Sequence, residues 1–306
     1  MYKVAVLMST YNGEKYLREQ IDSILAQRDV DVTLFIRDDG SADCTIEIIK
    51  KYQRGNSSIK LNIGKNVGVG NSFLQLVYDA GDGFDYYAFS DQDDVWMPEK
   101  TYKAINKINE KEDPCLYCSN QTLIDQSGSI IAVRRKKPIH QDPLSILCNN
   151  EVTGCTMLWN KALYCLLADR KRRPSQELLK IRIHDVWVAM VASVVGEIYY
   201  DEKAYINYRQ HENNVVGVKK GSLLKEWKKK ISNPELRNGR SLLAKEVYDK
   251  YNDFITDDAV NSMLVKCRNY KMSLKSKILL FKDIDVQRCS NESKIMYGMK
   301  IFLNLF

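Results

Sequence analysis

Apolar and polar positions alternate in two different rhythms along the first hundred residues. Val4 to Met8 is a short apolar run of strand length. Behind it Tyr16, Leu17, Ile21, Ile24 and Leu25 recur at helical spacing, with Asn12 as an expected cap. Val32 to Ile36 reads as a second strand, followed by a helix through Ile46, Ile49 and Lys50 with Asp43 as its expected cap. Gly64 to Gly70 reads as a loop, Asn71 opens a helix through Phe73, Leu74 and Val77, and Tyr86 to Ser90 is another strand. This βαβαβ order predicts an α/β fold built on a parallel sheet with right-handed crossovers. Ligands of such sheets gather at the carboxyl ends of the strands.

After residue 100 the rhythm loosens. Lys103 to Lys111 and Asp185 to Val195 read as helices, the latter ended by Gly196. Short strands are expected near Leu116, at Thr156 to Trp159, Ile198 to Tyr200 and Tyr205 to Tyr208. From Lys219 onward the composition turns basic and helical. A domain cut near Val218 is therefore expected, with a first domain over 1–218 and a basic helical extension over 219–306.

Three polar clusters follow three of the expected strands: Ser9-Thr10-Tyr11-Asn12, Asp38-Asp39-Gly40-Ser41 and Asp91-Gln92-Asp93-Asp94. Each alone reads as a turn or helix cap. Together, on one edge of a doubly wound sheet, they read as a binding site. Asp91, Asp93 and Asp94 crowd three like charges into four residues, an arrangement that is costly without a cation among them. Mg²⁺ takes oxygen ligands and bridges carboxylates to phosphates, and Mn²⁺ suits the same donors. Gly64 to Gly70 lacks both the third Rossmann glycine and a Walker lysine, which counts against a dinucleotide site. Downstream, His184-Asp185-Val186-Trp187 and Arg209-Gln210-His211 hold two of the three histidines.

Charge and cysteine usage narrow the classes. The net charge is +7, but Lys219 to Arg240 alone holds eight Lys or Arg against two Glu, so the rest of the chain is nearly neutral. A nucleic-acid-coating surface is thereby excluded. The eight scattered cysteines read as reduced thiols, and Cys115 and Cys118 lie on a strand-like run with no second pair at zinc-ribbon spacing. No apolar run reaches the ~18 residues of a membrane span, and Met1 to Met8 is too short for a signal core. A cytoplasmic chain is expected, peripheral on the inner face of the cytoplasmic membrane. Leu223, Leu224, Trp227 and Ile231, interleaved with Lys225 and Lys228 to Lys230, form the pattern of a basic amphipathic helix for that contact, and a packing or oligomer contact is the rival reading.

These motifs resemble those of the inverting family-two glycosyltransferases of the GT-A fold. The resemblance rests on Ser9 to Gly13, Asp38 to Asp43, Asn66-Val67-Gly68 and Ser90 to Trp96, and covers residues 1 to about 217. The Asp-Gln-Asp-Asp form, His184 to Trp187 and Tyr208 to His211 are similar to bacterial rhamnosyltransferases of surface-polysaccharide assembly. The resemblance implies that Thr10, Tyr11 and Glu14 line the nucleotide pocket, that Asp38 or Asp39 binds the base, and that Asn66 and Gly68 approach the nucleotide. It implies that Asp91 faces ribose and metal, Asp93 binds the metal, Asp185 is the general base and His211 sits near the diphosphate or metal. Many relatives carry Glu-Asp where this chain has His184-Asp185, which bears on the base and acceptor geometry. The implied reaction is transfer of a hexose, rhamnose from dTDP-rhamnose first, to a lipid-linked glycan with Mg²⁺ or Mn²⁺. The alternatives are another donor such as UDP-galactose or UDP-glucose, and a nucleotide-sugar-binding protein without turnover.

Overall fold

The computed structural model describes residues 1–211 and 238–306. Contacts divide the described residues into two units. The first takes Met1–Ile139, Val152–Lys171 and 196–211; the second takes His140–Glu151, Arg172–Val195 and 238–306. The division interleaves along the chain, and the expected cut near Val218 lies outside the described residues, as does the basic stretch from Lys219 through Leu223, Trp227 and Ile231.

The first unit is a curled mixed sheet with helices on it. Its opening strands are β1 (Tyr2–Thr10), β2 (Val30–Asp38), β3 (Ile59–Ile63) and β4 (Tyr86–Ser90), joined through α1 (Leu17–Leu25), α2 (Thr45–Gly55) and α3 (Val69–Asp79). Next come β5 (Val95–Trp96), α4 (Lys100–Ile108), β6 (Cys115–Ile124), β7 (Ile130–Val133), β8 (Leu158–Asn160), α5 (Lys161–Leu167) and β9 (Glu197–Arg209). The strand order is β3-β2-β1-β4-β8-β6-β9-β5, with β7 paired to β6. β1 runs parallel to both β2 and β4, so the chain order reverses at β1. Val4, Ala5, Val6, Leu7 and Met8 are all fully buried, because helices cover a central parallel strand on both faces.

Register sets the depth of the three loops. Thr10 lies opposite Asp38, whereas Met8 lies opposite Ser90. The chain after β4 therefore leaves the sheet two residues earlier and runs beside Ser9 to Asn12.

Several expected boundaries move. β3 was not anticipated: only five residues long, it alternates Ile59, Leu61 and Ile63 at the sheet's edge. The two strands expected between Ile198 and Tyr208 are one strand, β9, whose register against β6 slips around Asn120. Asn12 does not cap α1, which starts at Leu17 after Tyr16; its side chain goes elsewhere, as described below. Gly196 must be glycine because a Cβ there would meet the Pro114 carbonyl oxygen at 1.9 Å.

The second unit is helical. It comprises α6 (Pro143–Asn149), α7 (Gln176–Ile181), α8 (His184–Val195), α9 (Gly239–Tyr251), α10 (Asp258–Arg268), α11 (Leu274–Phe281), α12 (Ile284–Cys289) and α13 (Lys294–Phe302). Buried Arg240 ties it together: its guanidinium donates to the Cys148 carbonyl and to Glu292, and lies over the Phe306 ring. Buried Glu246 accepts from the Ser175 amide at 2.8 Å and from its hydroxyl, which holds the start of α7 to α9. None of the described helices is long and apolar enough to cross a membrane.

Candidate active site

The loops after β1 and β2 are stitched into one body. Asp38 is fully buried at the end of β2, and one of its oxygens accepts from Thr10 Oγ1 at 3.0 Å and Ser41 Oγ at 2.6 Å. The other accepts from the amides of Gly40 and Ser41. Asn12, with φ of 47°, turns its side-chain oxygen to the Ala42 amide, and its own amide donates to Ser41 Oγ. The Gly13 amide donates to Thr45 Oγ1, the Glu14 amide to Asp43, and the Cys44 amide to the Glu14 carboxylate. Glu14 thus satisfies the start of α2, where helical amides lack partners.

Asp39 performs the same office toward the glycine loop. Its carboxylate accepts from the Val67 amide at 2.9 Å and the Gly68 amide at 3.0 Å, and pairs with buried Arg37. Arg37 also donates to Ser72 Oγ and to the Lys65 carbonyl. Gly68 has φ of +82°, a backbone state that glycine adopts at no steric cost, and Asn66 Oδ1 accepts from its amide. Both aspartates implied for base recognition are therefore buried and hydrogen-bonded to protein donors. Asp38 joins the loops after β1 and β2, and Asp39 holds the Val67–Gly68 backbone.

The third loop is clamped by a residue the sequence reading passed over. The Gln92 amide group bonds the Tyr11 backbone reciprocally, accepting from its amide at 2.9 Å and donating to its carbonyl at 3.1 Å. Gly13 makes room for it, since a Cβ there would stand 2.3 Å from Gln92 Oε1. The Tyr11 side chain is half exposed, at 50%, so the ring is available to a ligand while its backbone is fixed.

The carboxylates of this loop have separate surroundings. Asp93 Oδ2 lies 2.7 Å from His211 Nε2. The pair exists because β5 and β9 run antiparallel, with Val95 opposite Asn207, which carries the end of β9 past the loop. Arg209, 2% exposed, donates its amide to Asp94, its Nε to the Asp93 carbonyl and its Nη2 to Glu19, and it lies over the Tyr16 ring. Asp94 is fully buried. Burial, then the charges of Asp93 and Asp91, push its carboxyl well above the ordinary range. Lys100 Nζ sits 3.6 Å from the Trp96 ring centre, and burial pulls the ammonium down to about 8. Asp91, Asp94 and Cys155 bring one ligand atom each within 4.8 Å of one another, and Gln121 donates to the Cys155 sulfur. The donor set, dominated by carboxylate oxygens, fits a hard divalent cation. Cys155 and Arg209 escaped the sequence reading as site residues. Cys155 carries no local motif, whereas Arg209 stood beside His211 in a motif already singled out.

Asp185 belongs to the second unit. It is the second residue of α8, and one of its oxygens accepts from the Val186 amide at 2.7 Å. Neighbouring His184 is buried, which pushes its imidazole down to about 3 and keeps it neutral at physiological pH. The residue standing beside Asp185 is therefore uncharged.

The chain matches glycosyl transferase family 2 over residues 5–167. It is 34% identical over 216 residues to the dTDP-rhamnosyl transferase RfbG of Shigella flexneri, covering 69% of this chain and 73% of that protein. An uncharacterized glycosyltransferase of Rickettsia typhi is 27% identical over 216 residues, covering 68% of this chain and 64% of its own. Among solved structures, S. aureus TarS 1-349 in complex with UDP-GlcNAc superposes with a TM-score of 0.60 at 18% identity, covering 100% of this chain and 82% of that one. That likeness is one of fold, the GT-A arrangement of a mixed α/β sheet with helices. By its residues, its sheet and its relatives, the chain belongs to glycosyl transferase family 2.

Proposed function

We propose that this glycosyltransferase moves a hexose, rhamnose from dTDP-rhamnose before others, with inversion onto a lipid-linked glycan at the cytoplasmic face of a membrane. The single observation that carries the donor reading is the 34% identity over 216 residues to RfbG, a dTDP-rhamnosyl transferase. The geometry supports it: three loops at the point where strand order reverses are cross-linked by side chains, leaving Tyr11 exposed beside a crowded carboxylate loop.

In this reading the Thr10–Asp38 and Asp39–Gly68 bonds fix the floor against which base and ribose lie. Asp91 and Asp93 would hold Mg²⁺ or Mn²⁺, with ligand atoms of Asp94 and Cys155 within 4.8 Å of Asp91. A cation held there would supply charge stabilisation for the departing diphosphate. His211 orients the Asp93 carboxylate through their 2.7 Å contact. Asp185 takes the proton from the acceptor hydroxyl as the new bond forms.

A thermal-shift screen tests the donor, because a ligand that binds only the native state raises its stability. dTDP-rhamnose with Mn²⁺ should raise the melting temperature more than UDP-galactose, UDP-glucose or UDP-GlcNAc. A larger shift with a UDP-sugar would transfer the assignment to that donor. Donor hydrolysis by the same protein separates an enzyme from a nucleotide-sugar-binding protein without turnover.

A further inference from the structure

The last two long helices of the second unit pack against each other and leave apolar side chains outside. The Tyr297 hydroxyl donates to the Leu280 carbonyl at 2.7 Å, and the Phe281 ring lies 6.3 Å from Tyr297 and 5.7 Å from Phe302. Gly298 permits this approach, since a Cβ there would stand 2.8 Å from the Phe281 ring. Lys277 Nζ donates to the Phe302 carbonyl at 3.2 Å, closing the pair at its end.

With Leu280, Tyr297 and Ile301 turned inward, a different set faces solvent. On α11 the exposed residues are Leu274, Lys275, Ile278 and Leu279, with Lys282 just beyond it, a spacing that makes one continuous helical face. On α13 they are Lys294, Ile295, Met299 and Phe302, continuing into Leu303. Leu274 is 66% exposed and Ile295 77%, while Ile278, Met299 and Phe302 are partly covered. Contiguous apolar surface of this kind marks a contact site in a folded protein.

Charge says what the contact is. The charged side chains exposed on the two faces are Lys275, Lys282 and Lys294; Lys277 and Lys300 are half-buried, Lys300 against Glu292, and the carboxylates Asp283, Asp285 and Glu292 lie on the stretch between the helices. A second copy of the same face would bring lysine against lysine, which is unfavourable. An anionic lipid surface accepts both halves of the pattern: apolar side chains enter the acyl boundary while lysines meet the headgroups. We propose that the outward faces of α11 and α13 are the docking surface of this chain for an anionic bilayer. This deepens the membrane part of the proposed function and does not depend on which donor is used.

Co-sedimentation of the full chain with phosphatidylglycerol–phosphatidylcholine vesicles tests it. Wild type should bind these vesicles, bind phosphatidylcholine alone weakly, and lose affinity as salt rises. The Lys275→Glu, Lys282→Glu pair should weaken binding roughly 25-fold or more, since each lysine near such a surface is worth about fivefold. The Leu279→Asp, Ile295→Asp pair should weaken it at least about tenfold. All four side chains are exposed, so melting temperature and nucleotide binding should stay near wild type. If the aspartate pair melts early, Leu279→Ser with Ile295→Ser replaces it. Wild-type binding by both pairs, or loss only on replacing Lys228, Lys229 and Lys230 with glutamine, would overturn the assignment. So would a lipid-free dimer that the aspartate pair converts to monomer.

Discussion

Two buried aspartates at the same sheet edge have opposite surroundings. Asp38 accepts four hydrogen bonds from Thr10, Gly40 and Ser41, and both its oxygens are used. Asp94 takes the Arg209 amide and otherwise stands among Asp93, Asp91 and the Cys155 thiol. The first is a finished joint: its charge is spread over fixed donors, so the loop it holds needs no ligand. The second is pushed toward its neutral form by burial and by its neighbours Asp93 and Asp91, on a loop whose crowded carboxylates a cation would relieve. One sheet edge thus combines a rigid floor with a charged rim.

Asp185 extends this comparison to a carboxylate assigned to chemistry, and its replacement has the largest expected effect. Asp185→Asn keeps size and helix-start bonding, since Asn caps about as well as Asp. As the base it should lose roughly 10²–10⁴-fold in turnover while donor binding and melting temperature hold. Transfer within a few-fold of wild type would remove Asp185 from the mechanism and send the search to Glu151 and Glu212.

Breaking the finished joint should cost stability instead. Asp38→Ala leaves the buried Thr10 hydroxyl and the half-buried Ser41 donors without their acceptor, and hydrogen bonds to a charged group carry about 1.5–3 kcal/mol each, so a loss of about 3 kcal/mol or more is expected in urea unfolding. A loss below about 1 kcal/mol would show that the joint is not what holds the loop.

The clamp between floor and rim gives a smaller and more specific effect. Gly13→Ala collides with Gln92 Oε1 and should cost about 1–3 kcal/mol. Gln92→Ala removes the obstacle, so the double variant should be more stable than the sum of the two single losses predicts. Simple additivity would mean that Gln92 does not press on Gly13 in solution.

The residues differ in how far the sequence disclosed them. The strand-then-cluster rhythm was legible because a buried parallel strand is an apolar run and its loop is polar, as with Val4 to Met8 before Ser9. The three clusters do converge, through Thr10–Asp38 and Gln92–Tyr11. What was not legible depends on distant partners. Asn12 reads as a helix cap from its own neighbourhood, but its acceptor serves Ala42, thirty residues away. Gln92 has no legible role of its own within its cluster, because its partner, Tyr11, lies on another loop. Cys155 has no local signal, and only the folded sheet brings it to Asp91 and Asp94. Of the helical half, α8 was visible as an apolar run of helix length between Asp185 and Gly196, whereas the six or seven residues of α6, α7 and α12 are too short to show a period.

The charged rim is the centre of the account, and its cation dependence can be measured directly. The decisive comparison is the melting shift produced by nucleoside diphosphate with Mn²⁺, with EDTA, and with Mn²⁺ on Asp93→Ala. A saturating ligand at 100 times its dissociation constant stabilises by about 2.7 kcal/mol. Wild type should show that shift only with metal, and Asp93→Ala should lose it while keeping its ligand-free melting temperature. An undiminished shift in excess EDTA, or an undiminished metal-dependent shift in Asp93→Ala, would contradict the assignment of this loop to the metal and the donor diphosphate.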